Sequence, residues 1–254
     1  MFNPVDIERV YADYINKQND LNREERYKGK EHHFQASSSG MCARKIYYSS
    51  VENIEPTNPP DKRASRLLRL GTIVHEDLQN AFTNIVNYNR YLLKKEKEVK
   101  EKKFEVHMEN EVIIPEWNVR GFYDLVINCS SGVYLYDFKT MASFSWSMKF
   151  GRKYKDKNPS SHQELQLGTY GYAIKKEFGR LDGMFLCYYK KDDSVMKCVP
   201  VPLTYVSRAY LFWKNIKDEH KQGLPQFRDG VSPVQKWQCN YCQFLDLCKP
   251  PHKE

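Results

Sequence analysis

The order of secondary-structure signals predicts an α/β protein with a mixed sheet flanked by helices. Three observations carry it. Apolar positions repeat at helical spacing from Asp61 to about Asn87. Strand-like runs rich in β-branched and aromatic residues then fill 104–140, and a helical pattern over 161–178 precedes a second pair of strands. Helix, antiparallel strands, helix and strands in that order do not form a βαβ repeat.

Taken along the chain, residues 4–18 read as an amphipathic helix opened by Asn3 and Pro4. Ser37, Ser38 and Ser39 offer N-caps for a short helix with Cys42 in its first turn. After a proline-rich loop (Pro56, Pro59, Pro60), Leu67, Leu70, Val74, Leu78, Phe82 and Ile85 form one stripe, which predicts a long helix packed on a sheet with His75 at its rim. Strands are expected over 104–108, 111–115, 118–128 and 133–140, a further hairpin over 184–191 and 196–203, and a helix over 204–221. Beyond Pro225 the composition turns to loops and cysteines.

Composition bounds the function. The 254 residues are 41% apolar and 28% charged, a globular make-up, and no apolar run approaches the ~20 residues of a membrane span. MFNPVDIERV carries no signal-peptide pattern, so a cytoplasmic location is expected. Seven cysteines there favour metal ligands and buried thiols over a disulfide framework. The formal charge of +8 favours a polyanionic partner. Lys149, Arg152, Lys153, Lys155 and Lys157, interleaved with Phe150 and Tyr154, suit phosphate contacts and base stacking on a single strand, although a merely solvated loop has the same composition.

The chemistry concentrates in one hairpin. Residues 119–127 and 133–139 are two strands around the turn Cys129-Ser130-Ser131-Gly132. A symmetric loop pairs Asn128 with Val133 and brings Asp124 opposite Asp137, with Lys139 on the same face. Two carboxylates among apolar neighbours repel. Lys139 offsets part of that, and a divalent cation held by both offsets it better. A one-residue bulge would separate the acids and leave a solvated edge. His75 is a candidate third ligand, whose imidazole would tilt the site from Mg²⁺ toward Mn²⁺. Gln163, Gln166 and Tyr170 share one helix face that suits orientation of a phosphate and a water. Cys239-x2-Cys242-x5-Cys248 has metal-ligand spacing, and Cys42, beside Arg44 and Lys45, is the candidate fourth ligand because that setting favours thiolate. Zinc and iron-sulfur both fit four cysteines.

Gly71-x3-His75, Gly121-x2-Asp124, Asp137-Phe138-Lys139 and Gln166-x3-Tyr170, in this order, resemble the motifs of the RecB-like nucleases of the PD-(D/E)XK superfamily. The flanking cysteines resemble the subset with a [4Fe-4S] cluster, which includes the AddB nuclease domain and CRISPR-associated RecB-like exonucleases. The resemblance implies a restriction-endonuclease-like core over 61–224. To this it adds an N-terminal helical region, 1–60, contributing Cys42, and a cysteine-rich segment, 225–254. It implies that His75, Asp124, Asp137 and the Phe138 carbonyl bind Mg²⁺ or Mn²⁺, that Lys139 positions or activates the attacking water, and that Gln166 and Tyr170 complete the substrate side. Asp137 stands where many relatives have Glu. The expected activity is a metal-dependent DNA nuclease, foremost a single-stranded DNA exonuclease. A non-catalytic DNA-binding or adaptor module with the same fold is the alternative. Recombination, CRISPR spacer processing and phage DNA metabolism are all left open by the resemblance.

Overall fold

The computed structural model describes residues 6–27, 34–50, 54–95, 104–151, 160–229 and 236–248. Seven helices and six strands are seen there in the order α1 (Ile7–Tyr27), β1 (Phe34–Gln35), α2 (Ala43–Ser50), α3 (Lys62–Lys95), β2 (Phe104–Ile114), β3 (Val119–Cys129), β4 (Gly132–Met141), α4 (Ser143–Phe150), α5 (Ser161–Phe178), β5 (Gly183–Lys190), β6 (Met196–Val201), α6 (Thr204–His220) and α7 (Lys236–Asn240). No described helix is long and apolar enough to cross a membrane.

The strands form one mixed sheet in the order β1-β3-β4-β5-β6, with β2 also on β3. β1 runs parallel to β3 and β4 parallel to β5; the other pairs are antiparallel. Since β2 pairs with β3 from Val119 to Cys129, β1 and β4 must share the opposite edge of β3. β1 takes Val119 and Arg120 there, and β4 takes Leu125 to Cys129. Gly121 to Asp124 have no strand pairing on that edge among the described residues. The hairpin therefore splits where its carboxylates begin.

The split shapes the core. Below it, Val126, Val133 and Leu135 are buried with Leu167, Ile174, Met184 and Leu186 in the main apolar cluster, which α5 and α6 cover. At its centre Trp213 Nε1 donates to Thr169 Oγ1 (2.9 Å), and Ser39 Oγ lies 2.8 Å from the same hydroxyl. A smaller cluster of Tyr48, Phe244, Cys242 and Cys248 joins α2 to the C-terminal segment.

Several expectations are corrected. α1 starts at Ile7, where Asp6 Oδ1 accepts from the Arg9 N–H; Asn3 and Pro4 lie outside the described residues. Ser39 caps no helix, because its hydroxyl donates to the Ala36 carbonyl within a 3₁₀ turn. The segments 104–108 and 111–115 are a single strand, carried past Glu109 by a left-handed residue (φ 51°) rather than by a turn. The hairpin loop tightens to Ser130-Ser131, since Cys129 pairs with Gly132. On α3, Leu67 and Leu70 are exposed, Val74, Leu78 and Phe82 are half-buried, and the side chain of Ile85 lies outside the described residues. The helix meets the sheet through β4 and β2. Cys187 and Cys198 are not separate thiols but a disulfide across β5 and β6. Helices α4 and α7 are additional to the expected elements.

Candidate active site

Two glycines let the helices close on the split hairpin. A Cβ on Gly71 would lie 3.1 Å from Thr140 Oγ1, so the bare backbone lets α3 approach β4 and aim His75, one turn later, at the strand. A Cβ on Gly121 would lie 2.6 Å from the Ala36 Cβ and 3.0 Å from the Tyr170 ring, so any larger residue would push the 3₁₀ turn at Ala36 and α5 off β3.

Asp124 lies just beyond Leu125, the last β3 residue paired with β4. With no β3 carbonyl opposite it, the Phe138 N–H finds its acceptor in Asp124 Oδ2 at 2.6 Å. The same oxygen faces His75 Nδ1 at 3.6 Å. Asp137, 1% exposed, ion-pairs with Lys139 Nζ at 2.6 Å. Burial, then the charge of Asp137, hold the Asp124 carboxyl well above the usual range. Burial pulls the Lys139 pKa down, but Asp137 and Asp124 outweigh it and hold the ammonium above its ordinary value. His75 is pushed down by burial and by Lys139, so it is a neutral imidazole with a lone pair to give, and the Phe138 carbonyl is within its hydrogen-bonding reach. Across the cleft Gln166 Nε2 donates to Tyr170 Oη at 3.4 Å. Burial, then Asp137, raise the Tyr170 phenol, which therefore remains a hydroxyl donor.

These residues line one cleft of about 790 Å³ with Asn22, Gln35, Ser37, Thr72, Glu76, Gln79, Glu109 and Phe122. Of the expected substrate face, Gln166 and Tyr170 reach it; Gln163 does not, because it accepts the Tyr188 hydroxyl at 2.9 Å. Glu109 is the carboxylate that sequence reasoning missed. Its left-handed backbone turns it into the cleft, where Gln79 Nε2 donates to it at 2.7 Å. Gln79 lies one turn beyond His75, a spacing that could have flagged it. Lys149 differs from expectation: it turns inward, its ammonium 3.9 Å from Glu164 and 5.0 Å from the centre of the Tyr188 ring. It is thus withheld from solvent. Arg152, Lys153, Tyr154, Lys155 and Lys157 lie outside the described residues.

With Glu76, Glu109, Asp124 and Asp137 against Lys139, the cleft lining is a cation environment. Among the described residues no three His, Cys, Asp or Glu side chains close into a ready-made metal site, the cysteines included; in the cleft the carboxylates are turned to Lys139 and to the Phe138 N–H. The donor set of carboxylates, imidazole and carbonyl nevertheless fits Mg²⁺ or Mn²⁺.

The four candidate cysteines also come together. Cys42, Cys239, Cys242 and Cys248 line a narrow cavity of about 20 Å³ with Lys45, Tyr48, Arg228 and Gln238. Gln238 bridges the chain ends, accepting the Cys42 N–H (2.6 Å) and donating to the Gly40 carbonyl (3.3 Å). Buried Arg44 donates to Cys248 Sγ (3.2 Å), the Pro225 carbonyl (2.7 Å) and the Tyr48 hydroxyl (3.3 Å). The expected thiolate at Cys42 is corrected: burial pushes its thiol up, and the guanidinium beside it is spent on Cys248.

Fold and cleft define a nuclease-type α/β protein, with paired acids and a lysine at the open end of a mixed sheet. The chain belongs to the PD-(D/E)XK nuclease superfamily, whose profile matches residues 77–249. The match includes Asp124, Asp137, Lys139, Gln166, Tyr170 and the three C-terminal cysteines; His75 and Cys42 precede it. No curated protein matches. Among solved structures, the crystal structure of SSO0001 is similar over 94% of this chain and 96% of its own, at 18% identity and a TM-score of 0.50. A candidate exonuclease from Eubacterium rectale is similar over 82% and 88%, at 15% identity and a TM-score of 0.41.

Proposed function

We propose that the protein is a divalent-metal-dependent DNA nuclease that works as an exonuclease on single-stranded ends. The observation that carries this reading is the split hairpin, which holds Asp124, Asp137 and Lys139 within one buried cluster reached from the cleft. A Mg²⁺ or Mn²⁺ bound by Asp124, Asp137, His75 and the Phe138 carbonyl would lower the pKa of a coordinated water and offset charge on the phosphate. The chain's own residues do the rest. Lys139, kept charged by its carboxylate neighbours, donates to the water or to a phosphate oxygen. The Phe138 N–H fixes Asp124. Tyr170 and Gln166 offer a hydroxyl and an amide to the phosphate from the opposite wall.

The test is cleavage of end-labelled single strands with Mn²⁺ and with EDTA. Asp137→Ala and Lys139→Ala are expected to bind the strand without cutting it, and full activity in either rejects the assignment. Strand binding with no cleavage by the wild-type protein under any divalent metal would instead favour the non-catalytic module.

For the cysteines we propose a [4Fe-4S] cluster of structural role, supported by four thiols lining one cavity with Arg44 and Arg228 near them. The present space would have to widen to take it. A second reading, a single zinc ion, is favoured by that small space. Purified protein that is brown and absorbs near ~400 nm supports the first; a colourless protein containing stoichiometric zinc supports the second.

A further inference from the structure

The cleft cannot by itself hold a polyanion. Among the described residues that line it, four are carboxylic acids against the one full cation Lys139, so affinity for a nucleic-acid strand calls for cations on an adjoining surface. The first four turns of α3 supply one. Residues 62–75 carry Lys62, Arg63, Arg66 and Arg69 and no Asp or Glu. Lys62, Arg66 and Arg69 fall at i, i+4 and i+7 and so share a face. That face runs into the cleft: Arg69 Nη1 sits 3.5 Å from Glu76 Oε1, and Glu76, Thr72 and His75 line the cleft wall. Asp61, just before the helix, is engaged in capping, its Oδ1 accepting the Ala64 N–H at 2.7 Å. Arg66 holds one guanidinium nitrogen out of solvent and without an acceptor among the described residues, a donor that a phosphate oxygen would satisfy once the side chain turns outward.

We propose that Lys62, Arg66 and Arg69 form a phosphate rail that feeds a single nucleic-acid strand along α3 into the cleft. The rail rests on the nuclease reading for its substrate but makes a separate prediction. The helical rise separates successive cations by about 6 and about 4.5 Å along the axis, so each can meet a different phosphate of an extended strand. Arg69 would leave Glu76 for phosphate, which frees that carboxylate toward a cation in the cleft.

Binding is measured with the cleavage-deficient Asp137→Ala protein and fluorescein-labelled oligothymidylate across a salt series, after thermal melts confirm folding. Lys62→Gln/Arg66→Gln is expected to weaken binding roughly five- to tenfold at low salt and to reduce the slope of log K against log salt by about 1.4, at ~0.7 for each phosphate no longer neutralised on a single strand. Arg66→Lys keeps the slope. Exposed Lys62→Gln alone should reduce it by about 0.7, which preserves the test if the double variant unfolds. An unchanged slope overturns the rail, as does an equal loss in the control Lys175→Gln/Lys214→Gln on α5 and α6, or no binding by Asp137→Ala. A wild-type protein that binds through the rail but never cuts removes the nuclease reading and leaves the rail standing. One that cuts while the rail variants bind unchanged removes the rail alone.

Discussion

The acid cleft and the cysteine cavity are both built from reactive side chains, but they are held in opposite ways. In the cleft, Asp124, Asp137 and Lys139 come from one hairpin, within 15 residues of each other, and their positions follow from strand geometry and one broken ladder. In the cavity, Cys42 and Cys248 meet from opposite ends of the chain and stay together through side-chain bonds, Gln238 to Cys42 and Arg44 to Cys248 and Pro225. The first arrangement is local and preorganised. The second closes a very long loop, so it has to be stabilised by contacts that the unfolded chain lacks. The contrast teaches that damage to the cleft should fall on chemistry, and damage to the cavity on stability.

The largest effect expected from this contrast is on turnover. Asp137→Ala should lower the cleavage rate on the order of 10³-fold or more, whereas Cys248→Ser should leave the rate of the folded fraction within a few-fold; equal losses in both would break the division. Next comes Arg44→Ala, which removes three hydrogen bonds of a buried guanidinium and should cost roughly 2–4 kcal/mol in denaturant unfolding, with the turnover of folded protein retained.

A pH effect tests the seam between the two regions. His162 packs at a tilt against Trp237 of the C-terminal segment, and burial, then the charges of Lys139, Lys149 and Lys45, push its pKa down to about 4. Below the free-histidine value of about 6.5 the unfolded chain takes up a proton that folded His162 refuses until about pH 4. The unfolded state binds more protons in that window, so stability falls as pH drops through it, by on the order of 2–3 kcal/mol. His162→Gln should flatten the pH dependence of Tm between those values; an unaltered curve would show that the seam does not titrate.

The smallest change in stability is a gain that accompanies a loss of activity. Asp124 is charged only against burial and the neighbouring Asp137, a penalty that grows as pH rises past the ordinary carboxyl range. Asp124→Asn keeps an acceptor for the Phe138 N–H, so without metal it should raise Tm by a few degrees at neutral pH, about 1 kcal/mol, while abolishing cleavage. A lower Tm would mean that the charge–dipole bond to Phe138 outweighs the repulsion.

Legibility followed the same division. The pairing of Asn128 with Val133 and the strands around it could be read from alternation and turn residues, because strand period and short turns are local properties. Helices α5 and α6 matched their expected spans closely for the same reason. What failed were features in which a distant partner overrides local preference. Glu109-Asn110 looks like a turn, yet β2 continues through it against the whole length of β3. Lys149 looks like a solvent-facing cation, yet Glu164 and Tyr188 draw it inward. Cys187 and Cys198 look unrelated in the sequence, yet the register of β5 and β6 sets them face to face.

By itself the sequence determined the hairpin, the helix that brings His75 to it, the chemistry of the acids and lysine, and the metal-ligand spacing of the C-terminal cysteines. All of these rest on periodicity or on residues near one another in the chain. Only the tertiary structure decided that the hairpin opens at Asp124, that Glu109 enters the cleft, and that Arg44 and Gln238 lock Cys42 to the C-terminal segment. Each of those depends on which backbone and side-chain groups are left without a partner once the sheet is assembled, and buried donors and acceptors then take whatever acceptor or donor the packed fold brings within reach.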